Sequence, residues 1–182
     1  RTSVANGDRP RVLIDSSALL SVIKDEPGAE GLDGLLEMIG RGEAELVESV
    51  LILGEVFKQS DAADESERQR QDEKLGNIRR LLESREVLLL DVTPPIVKAA
   101  TEYRRNRKPK ALPDAIHLAT AVLNRCDWLV TFDADFPEVD GLQTFRRAQL
   151  QDPQVRLPWA IAVQESLFPA PSNVVMLKSP GS

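Results

Sequence analysis

The sequence predicts an α/β fold with a central, mostly parallel sheet. Short apolar runs rich in leucine and β-branched residues alternate along the chain with longer segments in which apolar residues recur at helical spacing. Strands and helices that alternate in this way are typical of a parallel sheet covered by helices. The chain has 182 residues, of which 42% are hydrophobic, and this is enough for one domain with a sizeable core.

Five strands are predicted, at residues 11–14, 45–47, 87–92, 128–131 and 142–145. Helices are expected between them, and the clearest is an amphipathic helix that begins at Pro113 and Asp114. Ser49 is predicted to be the N-cap of a helix that carries Glu55. The polar segment 58–77 is interpreted as either a solvated helix or a connecting loop.

The main domain is expected to cover residues 11–147. Residues 1–10 are polar and are expected to be disordered, and residues 148–182 are interpreted as a C-terminal extension because prolines interrupt the apolar pattern there. An apolar patch at residues 159–163 of this extension either covers the core or contacts a partner. The division leaves most of the chain to a single folded unit.

Composition predicts a cytoplasmic protein without a membrane contact. No apolar run approaches the length of a membrane span, and the N-terminus shows no secretory signal. The single cysteine, Cys126, excludes an internal disulfide and suits a reducing compartment. The formal charge of −6 argues against wrapping duplex DNA on a broadly basic surface, although a local basic rim is compatible with it.

Four carboxylates lie in apolar surroundings where a solvated charge would be unusual. Asp15 and Asp133 follow predicted strands, Glu55 lies on an apolar helical segment, and Asp114 lies in the first turn of a helix. Because functional groups collect beyond the carboxyl ends of parallel strands, the four are expected to share one crevice. Oxygen ligands without a cysteine or histidine cluster favour Mg²⁺ or Mn²⁺, which relieves their repulsion. Such a site activates a water for attack on a phosphodiester.

Four segments in this order resemble the PIN-domain ribonucleases, and among them the VapC-type toxins of toxin–antitoxin pairs. They are VLIDSSAL with Asp15, GEV with Glu55, LPDAIHLATA with Asp114, and LVTFDADF with Asp133 and Asp135. Each segment is weak by itself, but their order and the 19 positions between the third and fourth acids agree with the family. The resemblance covers roughly Arg11 to Phe145, about three quarters of the chain.

The resemblance implies a PIN-like three-layer α/β/α fold and a Mg²⁺- or Mn²⁺-dependent endoribonuclease. The four carboxylates would form the acidic quartet that binds the metal and supports catalysis, with Asp133 and Asp135 as alternatives for the fourth position. Ser16 or Thr131 would support the cluster. A toxin of this type would cleave RNA, form a homodimer and be inhibited by a cognate antitoxin protein.

A basic run lies directly upstream of Asp114. It consists of Arg104, Arg105, Arg107, Lys108 and Lys110. The run is interpreted either as a solvated helix end and loop or as a rim that contacts RNA phosphates. The only histidine, His117, follows Asp114 by three residues on about the same helical face, which predicts a structural or supporting role beside the site.

Other functions fit parts of the pattern. A PIN fold can serve as a non-catalytic interaction module, in which the acids stabilise the structure or bind a partner. A phosphotransfer protein would use Asp15 as the phospho-acceptor, but the segment DSSAL lacks a second acid. A serine hydrolase is disfavoured because no G-x-S-x-G motif surrounds Ser16 or Ser17.

Overall fold

The computed structural model describes residues 9–57, 62–106 and 108–160. Within these ranges the chain forms five strands, seven α-helices and one short 3₁₀ helix at Ala29–Leu32. In chain order the strands and α-helices are β1 Arg11–Ile14, α1 Ser16–Ile23, α2 Asp33–Gly40, β2 Glu45–Ser49, α3 Leu51–Val56, α4 Glu65–Leu82, β3 Val87–Leu90, α5 Pro94–Arg105, α6 Leu112–Leu123, β4 Trp128–Thr131, β5 Gln143–Arg146 and α7 Arg147–Gln151.

The five strands form one parallel sheet in the order β3-β2-β1-β4-β5. The predicted α/β class is therefore confirmed, and β1 and β4 have the predicted bounds. The two strands that precede predicted site acids are neighbours at the centre of the sheet, with Ile14 opposite Val130. Their carboxyl ends lie side by side, so the acids that follow them meet at the same edge.

Helices cover both faces of the sheet and give three layers. Side chains alternate across a strand, and in β1 Val12 and Ile14 pack into the cluster formed with α1, α2 and α4. Leu13 points to the opposite face, where it packs with Leu118 of α6. The side chains of Val12, Leu13 and Ile14 are all fully buried. This burial on both faces explains why the strand is a continuous apolar run in the sequence.

Strand β2 is longer than predicted, and the difference affects the site. It continues to Ser49 and buries Glu48, which is 0% exposed. Ser49 is not the N-cap of α3, so that prediction is wrong; Val50 holds the position and makes no side-chain cap bond. The Ser49 hydroxyl accepts only a long bond, of 3.4 Å, from the backbone N–H of Leu51.

The last predicted strand boundaries differ by one or two residues. β3 ends at Leu90, two residues early, because the backbone leaves the sheet before the prolines that start α5. β5 begins one residue late because Leu142 forms an isolated antiparallel bridge with Val139 instead. Neither difference moves a predicted site residue.

The polar segment before β3 is mainly helical. Most of it lies in α4, so the helix alternative is confirmed there, while residues 58–61 lie outside the described residues. Ile78 and Leu82 are buried against the main core, which anchors the otherwise solvated helix. Lys74 forms an ion pair with Asp25 and connects α4 to the chain after α1.

The chain after β5 packs against the core as far as Trp159. Leu150, Leu157 and Trp159 are all buried in the cluster beneath α1 and α2. The Trp159 indole N–H also donates a hydrogen bond of 2.8 Å to the carbonyl oxygen of Gly31. Trp159 therefore covers the core, whereas residues 161–163 of the predicted apolar patch lie outside the described residues.

The predicted domain limits, residues 11–147, stay a prediction. Of the N-terminal segment 1–10, the structure describes Arg9 and Pro10, and an ion pair of 2.9 Å joins Arg9 to Glu45 of β2. No helix in the described part of the chain is long and apolar enough to cross a membrane.

Candidate active site

Asp15 follows β1 at the centre of the carboxyl edge of the sheet and is 2% exposed. Its Oδ2 atom accepts hydrogen bonds from the Ser17 hydroxyl at 2.6 Å and from the Thr131 hydroxyl at 3.1 Å. Its Oδ1 atom is buried and has no hydrogen-bond partner among the described residues. A buried carboxylate oxygen without a partner is costly. One oxygen is therefore satisfied by hydrogen bonds, whereas the other is left unsatisfied.

The serine hydroxyl that supports Asp15 belongs to Ser17, not to Ser16 as predicted. Asp15 is the N-cap of α1, so its carboxylate accepts a hydrogen bond from the Ser17 backbone N–H at 3.3 Å in addition to the one from the Ser17 hydroxyl. The Ser17 hydroxyl oxygen in turn accepts the backbone N–H of Phe132 at 3.0 Å. The second predicted supporter, Thr131, does contact Asp15. The start of α1 and the end of β4 are thus joined around one carboxylate.

Glu55 on α3 is oriented from the buried side by His117 on α6. The His117 Nε2 atom lies 2.7 Å from Glu55 Oε2, and because a carboxylate can only accept, Nε2–H is the donor. The His117 side chain is fully buried, whereas 25% of the Glu55 side chain is exposed. The supporting role predicted for His117 is therefore a hydrogen bond to Glu55. Asp114 lies one turn earlier on the same helix.

The pKa of Asp114 depends on the charges of the other acids in the cluster. Burial, together with the negative charges of Asp15, Asp133 and Glu55, raises the pKa of its carboxyl group to about 6, against a smaller lowering by His117. Charges act on one another in this way only when they are close. The four predicted carboxylates therefore share one region of the fold.

Asp133 and Asp135 occupy different surroundings after β4. The backbone N–H of Asp133 donates to the Thr131 hydroxyl oxygen at 3.1 Å, and the backbone N–H of Asp135 donates to Asp133 Oδ1 at 2.8 Å. Asp135 Oδ2 lies 3.7 Å from the Nζ atom of Lys110. Asp133 thus adjoins the hydroxyl that holds Asp15, whereas Asp135 already has a cationic partner.

The sequence model of the PIN domain matches residues 12–142, more than two thirds of the chain. The chain belongs to the PIN-domain family. The family resemblance expected from the four motifs is confirmed, as is the PIN-like α/β architecture. PIN domains are generally nucleases.

A likeness also exists among solved structures. A chain in a toxin–antitoxin complex from Klebsiella pneumoniae is 23% identical, with a TM-score of 0.46, and the match covers 72% of this PIN domain protein and 94% of that chain. A likeness at this level says nothing about what the present chain binds. No curated protein sequence matches the chain significantly.

The donor set of this PIN domain fits a hard divalent cation. The cluster offers carboxylate oxygens, including the free Oδ1 of Asp15. In the described part of the chain no lysine or arginine forms an ion pair with Asp15, Asp114 or Asp133. Over the same ranges, no three acidic, histidine or cysteine side chains already converge as a metal cage. Binding would therefore require the acids of the cluster other than Asp15 and Glu55 to rotate inward, since those two are already held by hydrogen bonds.

The predicted basic run borders this region through Lys110. Its described members, all of them exposed, are Arg104, Arg105, Lys108 and Lys110. Arg107 lies outside the described residues. The Arg104 guanidinium donates to the Lys110 carbonyl oxygen at 3.1 Å, and the Lys110 ammonium group approaches Asp135. This end of the run lies next to the acidic cluster.

Glu48 is a further carboxyl group near the cluster that sequence reasoning missed. It is completely buried in β2, and its Oε1 atom accepts the backbone N–H of Ile14 at 2.9 Å. Burial raises the pKa of Glu48 well above its usual range, and the charges of Asp15 and Glu55 add to the increase. The available signal was an acid inside the apolar run LVESV, where the predicted strand ended one residue too early to include it.

Replacement of Glu48 by Gln is expected to raise the free energy of unfolding at neutral pH by on the order of 1–3 kcal/mol. Because the Glu48 pKa is raised in the fold, the folded state keeps a proton that the unfolded chain releases above its ordinary pKa of 4.5. The stability of the parent therefore falls as pH rises through and above that value. Glutamine cannot ionise, so the variant lacks this part of the decrease.

Urea unfolding in EDTA, at about pH 4.5 and about pH 8, measures the effect. Asp72→Asn, at an exposed position of α4, is the matched control and should leave the parent's pH dependence unchanged. An equal stability difference between Glu48→Gln and the parent at both pH values would contradict the expectation.

Proposed function

We propose that this PIN domain is a Mg²⁺- or Mn²⁺-dependent endoribonuclease that hydrolyses RNA phosphodiester bonds. The observation that carries the proposal is the Asp15 carboxylate, which Ser17 and Thr131 hold by one oxygen while the other stays buried and without a partner. A charge in that position calls for a cation. Family membership supports the nuclease class.

The carboxylates proposed to hold the cation are Asp15, Glu55, Asp114 and Asp133. When bound, the cation would supply positive charge and an activated water for in-line attack on the phosphorus. Ser17 and Thr131 fix the rotation of Asp15 from one side, and His117 fixes Glu55 from the other. Because these hydrogen bonds already restrict the two side chains, less conformational entropy is lost when a cation and a substrate bind.

The exposed basic run would bind the RNA beside the acidic cluster. Lys110 beside Asp135 stands at the border of the acidic cluster, and Arg104 is tied to the same loop. Cationic side chains there would bind backbone phosphates without reading the bases. An acidic pocket with a cationic border is compatible with the net charge of −6, because net charge averages the two.

Purified protein should cut internally labelled single-stranded RNA in Mg²⁺ or Mn²⁺, stop in EDTA and recover when excess Mn²⁺ is added. Single-stranded DNA of the same sequence tests the choice of substrate. Absence of cleavage with either cation would favour a non-catalytic interaction module. Equal cleavage of RNA and DNA would contradict the assignment to RNA.

Asp133→Asn is expected to lower kcat/KM for RNA by about 100-fold, and Asp135→Asn by no more than about tenfold. Asp133 adjoins the hydroxyl that holds Asp15, whereas Asp135 pairs with Lys110. The two variants make the same chemical change two residues apart, so each controls for the other. The opposite order of losses would assign the fourth position to Asp135.

The chain is further proposed to be the toxin of a toxin–antitoxin pair, acting in the cytoplasm as a homodimer under control of an antitoxin protein. This finer role is supported by the likeness of the four acidic motifs to VapC-type sequences. Induced expression in a bacterial host should stop growth, and Asp15→Asn should not. Co-expression of a small protein encoded beside the gene should restore growth. Unimpaired growth with the active parent would contradict the toxin role.

A further inference from the structure

Glu48 lies where β1 and β2 separate. Pairing of β1 with β2 reaches only Val12 opposite Leu46, whereas pairing of β1 with β4 continues to Ile14 opposite Val130. The Ile14 backbone N–H therefore lies beyond the paired part of the β1–β2 ladder, and the Glu48 carboxyl oxygen accepts it at 2.9 Å. The Glu48 side chain here supplies the hydrogen-bond acceptor that a neighbouring strand would otherwise supply.

This side-chain bond acts on the residue that follows. Successive N–H groups of a strand point to opposite sides, and the next one, of Asp15, donates to the Val130 carbonyl oxygen of β4 at 2.9 Å. The last two peptide groups of β1 are thus fixed from both sides, by β4 on one and by Glu48 on the other. The direction in which Asp15 presents its free oxygen depends on both.

We propose that Glu48 is a positioning residue for the metal site, holding the end of β1 so that Asp15 presents its free oxygen to the cation. This inference rests on the proposed function, since the cation is the same. One Glu48 oxygen is bonded to the Ile14 N–H, and the other, like Oδ1 of Asp15, is buried and has no hydrogen-bond partner among the described residues. The role proposed for Glu48 is the backbone contact and not cation binding, and Glu48→Gln separates the two roles, because glutamine keeps the acceptor oxygen but cannot be an anionic ligand. Burial also raises the pKa of Glu48, and a neutral Glu48 repels the Asp15 carboxylate less than a charged one.

The role requires an acceptor oxygen at this position and not a charge. Glutamine supplies the oxygen with the same shape, whereas methionine fills a similar volume and leaves the Ile14 N–H unpaired. Glu48→Gln and Glu48→Met therefore separate hydrogen bonding from volume. Glu45→Met makes the same change three residues earlier in β2, where the carboxylate pairs with Arg9 and Arg11, and serves as the control.

Two readouts that need no RNA test the proposal: calorimetric Mn²⁺ affinity, and the amide hydrogen-exchange rates of Ile14 and Asp15. Glu48→Gln and Glu45→Met should bind Mn²⁺ within about threefold of the parent, and should exchange the Ile14 and Asp15 amides no more than about threefold faster than the parent. Glu48→Met should bind Mn²⁺ about tenfold or more weakly, the usual size of such an effect, and should exchange the Ile14 amide at least about tenfold faster. Thermal melting checks that each variant is folded.

The possible outcomes separate this inference from the proposed function. Parent-like Mn²⁺ affinity in Glu48→Met would overturn the inference, as would equal weakening in Glu48→Gln. A parent that binds no Mn²⁺ would overturn the proposed function. In that case the amide exchange rates alone would test whether Glu48 orders the end of β1. Faster exchange of Ile14 and Asp15 in Glu48→Met would support this role, and unchanged rates would reject it. If Glu48→Met does not fold, Glu48→Gln is the deciding variant. Weaker Mn²⁺ binding by Glu48→Gln than by the parent would overturn the inference.

Discussion

Replacement of Asp15 by Asn is expected to lower the rate of RNA cleavage by more than about 100-fold, because loss of a direct ligand should exceed the usual loss from its supporting partners. Asparagine keeps an oxygen that can accept from Ser17 and Thr131, and it is a good N-cap for α1. The fold should therefore survive while the anionic ligand is lost. Single-turnover cleavage of labelled RNA in Mn²⁺ measures the effect.

Asp91→Asn is the matched control for this change. Asp91 also follows a strand, β3, at the carboxyl edge of the sheet, but it is exposed and lies two strands away from β1. The control should retain activity within about twofold, since surface substitutions of this kind are usually mild. Asp15→Asn that cleaves RNA within about tenfold of the parent, while folded, would contradict the assignment of Asp15.

Replacement of Trp159 by Ala is expected to lower the free energy of unfolding by about 3–5 kcal/mol. Trp159 is 1% exposed and lies edge-on to Phe145, with ring centroids 4.8 Å apart. It also contacts Trp128 at 5.6 Å, and its indole N–H is bonded to the Gly31 carbonyl oxygen. Alanine would leave a large cavity and an unpaired carbonyl group.

Urea unfolding measures this loss, and two further variants assign it. Trp159→Phe keeps much of the packing and loses the bond to Gly31, so it should lose about 1–2 kcal/mol. Leu123→Ala removes a side chain that is 49% exposed, and its effect should be below about 1 kcal/mol. A loss below about 1 kcal/mol for Trp159→Ala would show that the segment after α7 contributes little to the core.

Local patterns in the sequence were sufficient for the centre of the sheet. Arg11–Ile14 and Trp128–Thr131 are apolar runs with both faces buried, and an acid follows each of them within two residues. Because parallel strands place their carboxyl ends at one edge, the position of Asp15 beside Asp133 follows from order along the chain. Asp114 and Glu55 join them because their helices pack beside the same edge, which the pKa of Asp114 reflects.

Contacts set by exact backbone geometry or by distant residues could not be predicted. Ser17 rather than Ser16 reaches Asp15 because the N-cap conformation directs the second helical residue back to the carboxylate. His117 and Glu55 are 62 positions apart, and only the packing of α6 near α3 brings them together. Glu48 was missed because its strand ended too early in the prediction, and because its main contact is a backbone group of another strand.

Mn²⁺ binding to the metal-free protein tests the central claim most directly, because it asks whether the carboxylates form a cation site before any substrate is added. Titration at neutral pH, followed by the electron paramagnetic resonance signal of free Mn²⁺, counts the bound ions. The parent and Asp91→Asn should each bind at least one Mn²⁺ per chain, and Asp15→Asn should lose most of this binding. Absence of binding in the parent, or equal binding in Asp15→Asn, would contradict a metal site built on Asp15.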